Sequence, residues 1–152
     1  VENQEMADER IPDLLDCPAA IRFLSCEPLL GPLDIKHWFQ VKFPWGRRPY
    51  MNGDAYTRSH NKAKINWVIA GGESGPGARP CDISWLCSIV EDCSKEGVPV
   101  FVKQLGSKSG VWYGRDEDSF FDQTKNKDKK GGDPSEWPES LQAREFPGAV
   151  DA

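Results

Sequence analysis

The sequence predicts an α/β fold built on a parallel sheet, and three observations lead to it. Apolar runs and helical patterns alternate in the order helix, strand, insertion, strand, helix, strand. The runs at 21–26, 65–70 and 98–102 are apolar with little alternation, as expected of strands covered by helices on both faces. Each run ends at a polar or charged residue.

Residues 3–15 read as a helix that Asn3 can cap, with Ala7, Ile11, Leu14 and Leu15 at helical spacing. Pro12 lies inside that pattern and predicts a kink or a two-part helix. Cys17-Pro18 ends it. The strand at 21–26 (I-R-F-L-S-C) leads into Glu27-Pro28, and 29–35 is a turn carrying Gly31 and Pro32. Residues 36–64 read as a long insertion. Trp38, Phe39, Phe43, Trp45, Tyr50 and Tyr56 interleave there with charges, and Pro44, Pro49 and Gly53 break any period. Insertions of this length in compact domains are commonly functional.

The clearest strand, 65–70 (I-N-W-V-I-A), runs straight into a glycine-rich loop at 71–80. Asp82 or Ser84 caps the next helix. Trp85, Leu86, Ile89, Val90 and Cys93 form its apolar face, and Gly97 stops it. The strand at 98–102 follows and is closed by Lys103-Gln104. After Gly106 the texture turns polar, with K-N-K-D-K-K-G-G at 125–132. The chain therefore divides into an α/β part at 1–106, holding the insertion at 36–64, and a mostly polar tail at 107–152. Trp112, Tyr113, Phe120, Phe121, Trp137 and Phe146 would anchor that tail.

Composition narrows the function classes. A chain of 152 residues is one ordinary domain or part of a larger one. At this size roughly 70% of the unfolded surface can be buried, so no metal or disulfide staple is needed. No apolar run approaches the roughly 20 residues of a spanning helix, so no membrane partner is expected. The five Cys, an odd number without a signal-peptide pattern, predict a cytoplasmic protein with free thiols. No C-x-x-C occurs, and Cys81, Cys87 and Cys93 are six apart on different helix faces, so no metal site is expected from them. Val1 is not an initiator Met, and the chain reads as a piece of a longer protein.

Nucleophilic hydrolysis is disfavoured too. His37 and His60, the only histidines, both lie in the insertion, and neither neighbours a Ser or Cys in a nucleophile pattern. Cys26, beside Glu27, reads as a buried structural thiol.

The candidate site lies at the strand ends. In open α/β sheets and barrels, ligands bind at the carboxyl ends of the strands. Glu27, Glu73, Lys103 and Gln104 fall there, and so does Glu2 if Val1 closes an earlier strand. Converging carboxylates are costly unless a ligand cation, a metal or Lys103 pairs them. The structural alternative is that Glu27 and Glu73 cap loops or pair with Arg22 and Arg79. The loop holding Gly71, Gly72, Ser74 and Arg79 suits close approach of a ligand to the backbone. It has neither the Gly-Lys-Ser/Thr of a phosphate loop nor dinucleotide spacing.

Net charge is −5, yet residues 35–64 carry seven basic residues against one acid. Arg47, Arg48, Lys62 and Lys64, among aromatics, are candidates for contact with nucleic acid. The alternative function is accordingly a module that binds nucleic acid or a protein partner through this insertion.

Several long blocks carry a resemblance. They are V-E-N-Q-E-x-A-D-E-R-I-P-x-L-L (1–15), R-F-L-S-C-E-P-L-L-G-P-L-D (22–34), W-V-I-A-G-G-E-S-G-P-G-A-R-P (67–80), G-V-P-V-F-V-K-Q (97–104) and K-G-G-D-P-S-E-W-P-E-S-L-Q-A-R-E-F-P (130–147). Together they resemble the later half of the phage-encoded three-Cys-motif family, whose members are similar to radical S-adenosylmethionine proteins. The resemblance implies the C-terminal half of a (β/α) barrel that supplies the substrate side of an active site and is inactive alone. It places a [4Fe–4S] cluster and S-adenosylmethionine in the full-length protein, with no cofactor in this chain alone. It makes the missing N-terminal half a partner. A half barrel has open sheet edges, so the isolated chain is expected to form a homodimer or to cover its edges with the tail.

Overall fold

The computed structural model describes residues 1–39, 64–114 and 119–148. The first helix, α1 (Gln4–Asp16), begins where the Asn3 side chain accepts the Met6 amide at 3.0 Å. Pro12 sits within one continuous helix. The helical bond it cannot make would end on the carbonyl of exposed Asp8, where water can replace it. After β1 (Phe23–Cys26) comes a short helix, α2 (Lys36–Phe39). The chain continues through β2 (Trp67–Gly71), the two-residue β3 (Cys81–Asp82), α3 (Ile83–Glu96) and β4 (Val100–Gln104). Asp82 caps α3, and Gly97 closes it in the left-handed conformation.

Strands β1, β2 and β4 form a parallel sheet in that order, with Cys26 level with Ala70 and Ala70 level with Val102. One face carries Leu24, Cys26, Val68, Ala70, Val100 and Val102. These share a single buried core with Ala7, Ile11 and Leu15 of α1 and Leu86, Ile89 and Cys93 of α3. Residues of the opposite parity, Phe23, Ser25, Trp67, Ile69, Phe101 and Lys103, are exposed or half-buried. Among the described residues, helices cover one face, where the apolar strands had predicted both. The second face is apolar because aromatic rings pack on one another across it. Phe23 lies 5.8 Å from Trp67 between ring centroids, and Trp67 lies 6.5 Å from Phe101. The fold is α/β, and its sheets do not close into a barrel.

The expected polar tail is more structured than its composition suggested. Strand β5 (Ser109–Tyr113) runs parallel to β3, and β6 (Phe120–Gln123) returns antiparallel to β5. Two features hold this second sheet. Asp82 is buried, and its carboxylate accepts the amides of Ser84 at 2.7 Å and Trp112 at 2.9 Å. It thus ties the start of α3 to β5. Gly110 lets β6 close up, since a Cβ there would collide with the carbonyl of Asp122. Of the expected anchors, Trp137 is buried and donates from Nε1 to the Gly131 carbonyl at 3.0 Å. Trp112, Tyr113, Phe120 and Phe146 are exposed, and Phe121 is half-buried.

Beyond two short 3-10 turns (Pro134–Glu136 and Glu139–Leu141), the chain runs antiparallel along β4. The Val102 amide donates to the Ala143 carbonyl and the Glu145 amide to the Val100 carbonyl, both at 2.9 Å. The tail thus seals the β4 edge. Among the described residues no helix is long and apolar enough to cross a membrane.

Replacing Asp82 with Ala removes a buried carboxylate that accepts two part-buried amides, so Asp82→Ala should destabilise the fold by about 2 kcal/mol in urea titration. A loss below about 0.5 kcal/mol would show that the two sheets are held by something else.

Candidate functional site

The carboxyl ends of β1, β2 and β4 come together around two glycines. The Leu29 amide donates to the Gly71 carbonyl at 2.9 Å, which draws the chain after β1 over the end of β2. The Gly72 amide donates to the Gln104 carbonyl at 3.1 Å, and Gln104 Nε2 returns to the Gly72 carbonyl at 2.9 Å. Backbone excludes a side chain at Gly72, and one at Gly71 would have to push the Glu27 carboxylate aside. A Cβ on Gly71 would lie 2.8 Å from Glu27 Oε1, and one on Gly72 would collide with the Leu105 carbonyl. The glycine pair therefore lets Glu27 lie against the end of β2 while β4 closes from the other side.

Each of the three candidate carboxylates has a cation, and the three pairs differ in kind. Glu73 is closed. Arg79 reaches it through Nε at 2.8 Å and Nη2 at 2.9 Å, and the Arg79 amide adds a third bond at 2.9 Å. The guanidinium bonds, then the amide bond, hold the Glu73 carboxyl well down, at about 2. Both oxygens and the guanidinium fork are used, so this pair is a clasp on the loop. Glu27 is looser. Lys103 Nζ stands 3.4 Å and 3.5 Å from its two oxygens, beyond a strong charged hydrogen bond. The Glu27 side chain is 18% exposed and that of Lys103 57%. A long ammonium contact from an exposed, flexible side chain contributes little and can be exchanged for a ligand. Glu2 pairs with Arg10 at 3.2 Å. It stands beside the end of β1 because the Val1 nitrogen donates to the Ser25 carbonyl at 2.7 Å and the Leu30 amide to the Glu2 carbonyl at 2.8 Å.

The structure thus brings Glu2, Glu27, Gly71, Gly72, Glu73, Arg79, Lys103 and Gln104 to one end of the sheet. Ser74 is exposed on the same loop. Of the two structural pairings expected, Glu73 with Arg79 forms. Arg22 instead donates to the Cys17 carbonyl, at 3.0 Å through Nε and 2.6 Å through Nη2. Sequence reasoning missed Ser107. Its Oγ accepts the Gly75 amide at 2.9 Å and its amide donates to the Glu73 carbonyl at 2.8 Å, so it fixes the glycine loop from beneath. Its position just after the strand-end Gln104 was the available signal.

Arg47, Arg48 and Lys62 lie outside the described residues. Lys64 is exposed at the amino end of β2, opposite Glu27. Burial pushes the thiols of Cys26, Cys81 and Cys93 up to about 12, so none is a ready nucleophile. Among the described residues no group of three or more His, Cys, Asp or Glu is placed to hold a metal ion.

The Glu73 clasp makes a titration prediction. Its folded pKa lies below the unfolded carboxyl value of about 4.3. Its stabilising effect is therefore complete above that value and is lost as pH falls from there through about 2. Carbon-detected NMR should find the Glu73 carboxyl rising toward the ordinary range in Arg79→Ala, which removes the guanidinium bonds and keeps the backbone amide at position 79. An unchanged titration in that variant would show that Arg79 is not the cause.

No curated protein and no solved structure matches the chain. A family model described as "Protein of unknown function (DUF5131)" matches residues 1–139. That stretch holds every strand among the described residues, the glycine loop and the Glu27–Lys103 pair. The chain belongs to this family of proteins of unknown function.

Proposed function

We propose that this chain supplies the ligand-facing half of an α/β active-site barrel, in the manner of the phage-encoded, radical-SAM-like proteins its sequence resembles. The observation that carries the reading is the Glu27–Lys103 pair laid against Gly71 at the carboxyl end of a parallel sheet. This is where α/β folds bind ligands. The pair is loosely joined, half open and poised to separate. A ligand with a cationic or hydrogen-bond-donating group would take Glu27, and an anionic group would take Lys103. Glu2 and Gln104 form the rim, and the Glu73–Arg79 clasp with Ser107 holds the loop in place. The aromatic sheet face, with Phe23, Trp67 and Phe101, carries no helix among the described residues and is only partly covered by Arg144 and Phe146, which supports the same reading, because a parallel sheet is ordinarily covered on both sides.

The residues of this chain do not fit a cluster site. Three of its cysteines are buried and no ligating group of three is present among the described residues. Nor does Glu73 offer a free carboxylate to the amino group of S-adenosylmethionine, since Arg79 closes it. The proposal accordingly assigns the [4Fe–4S] cluster and S-adenosylmethionine to the other half of the barrel. It derives no step from them, and this half alone would be inactive. The assembled protein would be cytoplasmic.

Iron and acid-labile sulfide should be measured on the protein extended upstream of Val1, after anaerobic reconstitution. About four irons per chain are expected, as one cubane cluster requires. Glu27→Gln and Lys103→Met should keep that iron while abolishing turnover. No bound iron would refute the radical-SAM-like reading.

A further inference from the structure

The edge of β4 and the adjoining aromatic face form a groove that the chain fills with its own residues 143–146. Four edge groups of β4 find partners there. Val102 donates to the Ala143 carbonyl, and the Val100 carbonyl accepts the Glu145 amide, both at 2.9 Å. The Val100 amide donates to a Glu145 carboxylate oxygen at 3.1 Å, and the Lys103 carbonyl accepts Arg144 Nη2 at 3.4 Å. Side chains then read the groove on both sides. The Arg144 guanidinium lies 4.7 Å from the Phe101 ring centroid and 5.7 Å from that of Trp137. Two residues on, Phe146 packs 5.5 Å from Trp67 and 5.3 Å from Phe101, and Trp67 Nε1 donates to the Glu145 carbonyl at 2.9 Å.

This arrangement has the features of strand addition. Backbone bonds supply affinity, and alternate side chains supply selection. It also has features of a replaceable occupant. The ladder amounts to two backbone bonds, and Phe146 remains 65% exposed although it touches two rings. The last fully buried anchor before the segment is Leu141, and among the described residues beyond it Ala143 alone packs, half-buried, against the core.

We propose that this groove is a peptide-docking site. Its ligand is an extended segment, added antiparallel to β4, that presents a basic residue followed two positions on by an aromatic one. Residues 143–146 are then a tethered ligand of this class. A tethered segment competes at an effective concentration of roughly millimolar, so a peptide in trans is masked in the intact chain.

The test is fluorescence anisotropy with a labelled peptide of residues 141–148. It is added to the full chain and to the full chain carrying Arg144→Ala and Phe146→Ala. The peptide should bind the double variant at least about tenfold more tightly than the wild-type chain, because the tethered competitor is weakened. A peptide with the same two substitutions should not bind. Equal binding of both peptides, or none by the folded double variant, overturns the proposal. If the double variant does not fold, amide hydrogen exchange on the wild-type chain decides. The Val102 amide should exchange at least about tenfold faster than the amides of β2, through local opening of the segment. Equal protection would show that the segment leaves only on global unfolding, and would equally overturn the proposal.

Discussion

A parallel sheet buries its backbone and apolar side chains well only when both faces are covered. Here α1 and α3 cover one, and most of the remaining architecture answers to that imbalance. The alternate strand residues on the helix side are small or aliphatic, and the core closes around them. On the other side stand aromatic rings, which bury one another's edges even where water reaches them. The tail runs along β4 and sets Arg144 and Phe146 on those rings. It seals one edge of the sheet and part of the open face together, so one segment removes two aggregation hazards.

The carboxyl end of the same sheet shows how similar charges take different roles through geometry. Glu73 and Arg79 meet as two planar forks, with a backbone amide added, so both carboxylate oxygens are engaged within the loop. Glu27 and Lys103 meet at the limit of contact, through one exposed and flexible side chain. The first pair shapes the loop, and the second keeps a carboxylate and an ammonium within reach of an incoming molecule. Both lie beside Gly71 and Gly72, where a side chain would displace the Glu27 carboxylate at the first and run into the Leu105 backbone at the second.

The parts legible in the sequence were those governed by local rules. Asn3 as a cap, Gly97 as a stop and the apolar stripe of α3 follow from spacing and hydrogen-bonding chemistry alone, and the cap of α3 was narrowed to Asp82 or Ser84. The strand-end position of Glu27, Glu73, Lys103 and Gln104 was also readable, because strand ends are marked by where the apolar run stops. Pairing was not. Arg22 was as plausible a partner for Glu27 as Lys103, and only the parallel register of β1, β2 and β4 brings Lys103 to it. The β5–β6 hairpin was hidden by its surroundings. Val111-Trp112-Tyr113 and Phe120-Phe121 are strong strand formers, but the polar residues between and after them made the whole region read as a tail. The Asp82 bridge to Trp112 spans thirty positions in sequence and leaves no local trace.

The central claim is that the Glu27–Lys103 pair is kept for a ligand and is not a support of the fold. The most direct measurement is the urea stability of Glu27→Gln against wild type. Glutamine keeps the shape and removes the charge, leaving Lys103 exposed to water. The account predicts a change within about 0.5 kcal/mol, as for exposed ion pairs and surface substitutions. A loss of about 2 kcal/mol or more would mean that the carboxylate holds the strand ends together, and would contradict it.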